Sequence, residues 1–261
     1  MRRNLAAALA VAALVVTLTT AGCGSEAPSG AGSPAADKAV TVFAAASMQP
    51  TFTELAKTFE SAHPGATVTF NFAGSQTLAE QIAQGAAADV FAAANEATMK
   101  PVVDAGLTAA EPTIFATNQL TIAVPPDNPA GIAEFADLAE KGLKLVVCAP
   151  EVPCGAATKK VEQATGTTLA PVSEEQAVTD VLAKVQAGEA DAGLVYKTDV
   201  ITAGDTVTGI DFSESSEAVN RNPIVALKDA PQAALGQEFV DLVLGAEGQQ
   251  VLAAAGFGSA E

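Results

Sequence analysis

The chain has 261 residues, with 13 Lys+Arg against 30 Asp+Glu, a formal charge of −17, one His, no Trp, one Tyr and three Cys. So acidic a chain excludes nucleic acid as a partner, because it could not neutralise a run of phosphates, and a lone histidine excludes His-rich zinc sites and paired-His catalysis. An apolar content of 49% is enough to bury a sizeable core.

At the N-terminus, Arg2 and Arg3 precede an apolar run from Leu5 to Val16 that ends in Thr17–Cys23. This order predicts a secretion signal over residues 1–22, since the run is shorter than the ~20 residues a membrane-spanning helix needs. Ala21-Gly22-Cys23 is similar to a bacterial lipobox, with Thr20 where an aliphatic residue is usual. Cys23 is therefore expected to be the first mature residue, acylated on sulfur and holding the protein to the membrane by lipid alone. Residues 24–37, rich in Gly, Ser, Pro and Ala, complete with Cys23 a flexible linker with a reach of roughly 20 Å.

From Lys38 onward, strand-like and helical patterns alternate. Val40–Ala45 predicts a strand, and Phe52, Leu55, Ala56 and Phe59 fall at helical spacing. Thr67–Phe72 predicts a second strand, followed by a helix carrying Leu78, Ala79 and Ile82 that stops at Gly85. Asp89–Ala92, Leu120–Val124, Lys144–Cys148 and Ala192–Tyr196 are further strand candidates. Val178, Val181, Leu182 and Val185 make a helical stripe ending at Gly188, and Leu235, Phe239, Leu242 and Val243 open a last helix. The alternation predicts an α/β fold with mainly parallel sheets, and about 220 residues of it suit two lobes.

In open α/β sheets, ligands sit where strands end and helices begin. Three such turns are built from small residues: Ala44–Ser47, Ala73–Thr77 and Val152–Gly155. Helix N-termini of this kind bind anions through unpaired N–H donors, although N-capping is the plainer reading of Ser47 and Ser75. Ser173 with Glu174-Glu175-Gln176 has the pattern of a capping box, which would start the next helix too early to free the N–H of Val178. Cys148 and Cys154 bracket Ala-Pro-Glu-Val-Pro. In an exported chain they are either bridged or a pair of reduced thiols, and the bridge is favoured. His63 is expected to end a helix at the surface, and Asp89 to cap structure rather than meet a ligand.

Several strings together carry a resemblance: VTVFAAASM (Val40–Met48), FAGSQTLAEQIAQGAAADVFAAA (Phe72–Ala94), NQLTIAVP (Asn118–Pro125), PEVPCG (Pro150–Gly155), AVTDVLAKVQAGEADAGLVYKTDV (Ala177–Val200) and GQQVLAAAGF (Gly248–Phe257). Over residues 38–258 the chain resembles the periplasmic molybdate-binding proteins of ABC importers. The resemblance implies a two-lobed type II periplasmic-binding-protein fold with a ligand cleft between the lobes, one lobe from residues 38–117 plus 219–261 and the other from 118–218. It implies that Ser47 and Ser75 offer hydroxyl and N–H donors from the first lobe. The N–H groups of Cys154 and Val178 and the hydroxyl of Tyr196 come from the second. It implies no enzyme activity, no cofactor and no bound metal beyond the oxyanion itself, molybdate or tungstate. The implied partner is an ABC permease with its cytoplasmic ATPase, served by a monomer on the outer face of the cytoplasmic membrane. Sulfate or phosphate is the alternative ligand. The rival of another class, an exported serine hydrolase using Ser47 or Ser75, would need His63 as its base.

Overall fold

The computed structural model describes residues 38–260. The expected signal segment, the acylated Cys23 and the linker lie outside them.

Among the described residues, ten strands and eight α-helices follow in order: β1 (Lys38–Ala45), α1 (Gln49–Ala62), β2 (Ala66–Ala73), α2 (Ser75–Ala83), β3 (Val90–Ala92), α3 (Glu96–Asp104), β4 (Thr113–Asn118), β5 (Leu120–Val124), β6 (Leu145–Cys148), α4 (Pro153–Thr165), β7 (Ser173–Glu175), α5 (Val178–Gln186), β8 (Ala192–Tyr196), α6 (Lys197–Ala203), β9 (Thr208–Ile210), β10 (Asn220–Ala226), α7 (Ala233–Leu244) and α8 (Ala246–Ala254). They build two five-stranded sheets, one ordered β2-β1-β3-β10-β4 and the other β7-β6-β8-β5-β9. Each sheet has its own apolar core. In the first, Phe52 packs with Phe115 and Phe239 at ring separations of 5.8 and 5.9 Å. The second buries Ile122, Phe135, Val161, Val181 and Leu194.

The chain passes between the sheets twice, through Gln119 after β4 and through Val219 before β10. These crossings correct the expectation of mainly parallel sheets. β10 runs antiparallel to both β3 and β4, and β5 runs antiparallel to both β8 and β9, whereas the uninterrupted strand-helix-strand units pair in parallel. A strand that enters a sheet directly from the other one has no crossover helix to restore its direction. Asn118 and Asn220 face each other in register where the two crossing strands meet.

A second correction concerns Ser173-Glu174-Glu175. These residues pair in parallel with β6 as the edge strand β7, and Ser173 and Lys184 both donate hydrogen bonds to Glu175. No capping box forms, because the ladder and this charged cluster claim the groups that would have made it. Helix α5 starts later, at Val178, behind an Ala177 N-cap in extended conformation.

Asp89 is buried and accepts N–H bonds from Thr41 at 2.7 Å and Gln232 at 2.6 Å, tying β1 to the approach to α7. His63 forms the C-cap of α1, with Nδ1 2.8 Å from the Phe59 carbonyl and Nε2 2.7 Å from Glu238.

Candidate functional site

Four strand-to-helix turns converge between the sheets. The 3₁₀ turn Ala46–Met48 follows β1, α2 follows β2, α4 follows the loop after β6, and α5 follows β7. Together with the end of β8 they wall a small pocket, lined among others by Ser47, Ser75, Cys154, Val178 and Tyr196. All five residues named from sequence thus meet at one place.

Their polar groups are arranged as donors. The Ser47 hydroxyl is buried and has no partner among the described residues. The Ser75 oxygen accepts the Ala94 N–H at 2.9 Å, which leaves its own hydrogen to donate. Neither serine caps a helix with its side chain. The N-caps of α2, α4 and α5 are Gly74, Val152 and Ala177, none with a side-chain capping bond, whereas α3 is capped by Asn95. The first main-chain bonds of the three uncapped helices run from Leu78 to Gly74, Ala156 to Val152 and Asp180 to Ala177. The N–H groups of Ser75, Cys154 and Val178 lie ahead of them, with the positive ends of the helix dipoles behind.

Tyr196 is buried at the end of β8, where its hydroxyl oxygen accepts a bond from Asn220 Nδ2 at 2.6 Å. Burial, reinforced by the Asp199 carboxylate, pushes its pKa far above the ordinary phenol value, so it stays a protonated donor. Asp199 is itself buried and accepts the Tyr196 N–H at 2.9 Å, and burial lifts its pKa to about 7. Among the described residues no carboxylate lines the cavity, and Asp180 is exposed on the first turn of α5.

A disulfide joins Cys148 to Cys154 and closes the loop that leads into α4. Gly155 is required there, since a Cβ would overlap the main chain of Cys148 and Ala149. Loop-closure entropy for a span of this length is worth about 2 kcal/mol. Reduction is therefore expected to lower the melting temperature by a few degrees while α/β circular dichroism persists. An unchanged melting curve would show that the bridge contributes nothing.

The two lobes also touch at the mouth of the cleft. Gln76 Nε2 reaches the Gln176 carbonyl at 3.1 Å and its side-chain oxygen at 3.3 Å, and Gln176 Nε2 reaches Glu151 at 3.2 Å. This clasp and Asn220 were not legible in the sequence as site residues. Asn220 lies in the run Asn-Arg-Asn-Pro, which carries no strand signal of its own.

Residues 40–258 match the family model described as bacterial extracellular solute-binding protein. The chain belongs to that family. The protein described as molybdate-binding protein ModA of Mycobacterium tuberculosis H37Rv is 48% identical over 97% of this solute-binding chain and 97% of its own length. Among solved structures, the periplasmic molybdate-binding protein of Azotobacter vinelandii superposes with a TM-score of 0.73 at 20% identity, covering 84% of this chain and 98% of that one. The sulfate-binding protein SubI of M. tuberculosis H37Rv superposes with a TM-score of 0.70 at 19% identity, over 84% and 86% of the two chains. These likenesses establish the two-lobed fold, which by itself does not choose the anion. Membership in a family of binding proteins sets the hydrolase reading aside. The geometry agrees, because His63 sits at the C-terminal end of α1, engaged by Glu238, while Ser47 precedes its N-terminus.

Proposed function

We propose that this solute-binding protein captures molybdate, and tungstate with it, in the cleft and hands the anion to an ABC permease driven by a cytoplasmic ATPase. In this reading Ser47, Ser75, Cys154, Val178 and Tyr196 are the ligand-binding residues. The observation that carries it is the buried, unpartnered Ser47 hydroxyl in a cavity lined by donors and no carboxylate. Molybdate carries no proton at neutral pH and only accepts hydrogen bonds. Hydrogen phosphate must donate one, and no carboxylate waits to receive it. Sulfate shares the acceptor-only chemistry but is smaller, so size must separate the two. The relative that matches nearly the whole chain bears the name of a molybdate-binding protein, which supports the same choice.

The net charge of −17 does not oppose such a ligand at the site. Charges more than about 8–10 Å away are largely screened at physiological salt, while each charge-assisted hydrogen bond contributes roughly 1.5–3 kcal/mol. Acylation of Cys23 would keep the protein, as a monomer, beside its permease on the outer face of the membrane.

Calorimetry against molybdate, tungstate, sulfate and phosphate tests the reading. Molybdate and tungstate are expected to bind, and sulfate and phosphate much more weakly; sulfate competing on equal terms would overturn the molybdate assignment. Tyr196→Phe is expected to weaken molybdate binding by about 1–3 kcal/mol, the consequence of losing one donor to a charged group. An unchanged dissociation constant would remove Tyr196 from the ligand set.

A further inference from the structure

Two of the three hydroxyls at the cavity already have a main-chain or amide N–H pointed at their oxygen. Ser75 receives the Ala94 N–H and Tyr196 receives Asn220 Nδ2. The second contact joins the two halves of the molecule, since Asn220 opens β10 of the first sheet and Tyr196 closes β8 of the second. Both residues are almost completely buried, Asn220 at 4% exposure and Tyr196 at 2%.

The orientation of the Asn220 amide follows from a second neighbour. Its Nδ2 also lies 3.4 Å from the carbonyl oxygen of Pro153, a group that can only accept. Turning the amide over would set two carbonyl oxygens against each other, so the nitrogen faces both partners. A phenol carries one hydrogen. With Asn220 donating to its oxygen, the Tyr196 hydrogen must go to a different acceptor. Among the described residues no hydrogen bond joins the Tyr196 hydroxyl to Asp199, whose Oδ2 receives the Tyr196 main-chain N–H.

We propose that Asn220 is the positioning residue that commits the Tyr196 hydroxyl to donating into the cleft, and so disfavours oxyanions that carry a proton. The inference rests on the oxyanion reading of the cleft. Without Asn220 the hydroxyl could turn its lone pair toward a ligand and accept from hydrogen phosphate. With Asn220 it presents only hydrogen. Asn220 touches no ligand in this scheme and acts through Tyr196.

The test is a double-mutant cycle of Asn220→Leu and Tyr196→Phe, with molybdate and phosphate affinities measured by calorimetry and competition at constant pH. Asn220→Leu is expected to weaken molybdate about tenfold, the scale of one misdirected hydrogen bond, and to lower the molybdate-to-phosphate affinity ratio by about the same factor. In the Tyr196→Phe background the same change is expected to alter molybdate affinity by less than about twofold. Tyr196→Phe alone should leave the ratio unaltered, because it removes the donor without creating an acceptor. If the two substitutions weaken binding additively, or if the ratio stays at its wild-type value in Asn220→Leu, the inference is overturned. Asn220→Ala provides the same comparison should the leucine variant fail to fold, as judged by its melting curve. Wild-type protein that binds no tetrahedral oxyanion would overturn the reading of the cleft and this inference together. Molybdate binding that is indifferent to Asn220 would overturn the inference alone.

Discussion

Gly74→Ala is expected to reduce molybdate affinity by up to about 100-fold while leaving the ligand-free protein folded. A Cβ at position 74 would overlap the main-chain oxygen of Gln176, and those two residues belong to different lobes. Overpacking against main chain commonly costs about 1–3 kcal/mol, and the upper end of that range corresponds to about 100-fold in binding. Gln176 lies between the β7 edge strand and α5 on the opposite lobe, so separating the lobes relieves the clash directly. The predicted defect is thus one of closure. Thermal unfolding without ligand should shift little. Small-angle scattering should show the wild-type protein compact with molybdate and the variant more open under the same conditions. A variant that binds normally would mean that the ligand does not require the two lobes to approach as closely as Gly74 and Gln176 do here.

Stability is expected to fall as pH rises from about 4 to 7, and Asp199→Asn is expected to abolish most of that fall. Asp199 has its folded-state pKa raised from 3.8 to about 7, chiefly by burial and against the pull of the Tyr196 N–H. Its unfolded value is that of an ordinary carboxyl. Between the two values the folded protein holds a proton that the unfolded chain has lost. The stabilisation is therefore complete below about pH 4, is lost progressively above it, and is gone once pH passes 7. A folded-state pKa of about 7 against an ordinary 3.8 corresponds to about 4 kcal/mol. Asparagine can still accept the Tyr196 N–H but has nothing to ionise. Urea midpoints of the ligand-free protein at pH 5, 6, 7 and 8 should therefore diverge, the variant gaining on the wild type as pH rises. Curves that stay parallel would show that Asp199 ionises at its ordinary pH in the folded protein. Glu175 and Glu151, both held low by hydrogen bonds, contribute an opposite trend at lower pH, but they are common to both proteins and cancel in the comparison.

Together the two predictions separate the halves of the mechanism. Gly74 concerns whether the lobes can meet, and Asp199 concerns the ground on which Tyr196 stands.

Much of the fold was legible because its signals are local. Phe52, Leu55 and Phe59 mark α1 by spacing, and Gly85 and Gly188 stop their helices in the left-handed region, with φ of 90° and 70°. What escaped were elements whose residues argue against their structure. β10 contains Asn220, Asn222 and Pro223, with a register shift between the last two. α3 carries Pro101 in its interior, and β7 is three polar residues long. Their conformations are imposed by neighbouring strands and helices, so periodicity within the segment says little. The capping-box pattern at Ser173 shows the same limit from the other side. A motif worth about 1 kcal/mol lost to a sheet edge and a charged cluster that only the folded chain brings together.

By itself the sequence determined the strand-helix rhythm, the small-residue turns at strand ends and the absence of a histidine pair, since these depend on composition and on spacings of a few residues. It also held the residues that a resemblance could map onto a cleft. The tertiary structure decided which way each hydroxyl points, that the Val178 N–H stands free at the start of α5, and that Asn220 and Gln76 bridge the two lobes. Those outcomes depend on groups as much as 100 positions apart, as in the contact from Gln76 to Gln176. A hydrogen bond acts over about 3 Å, and no local pattern records which distant atoms the fold will bring within that distance.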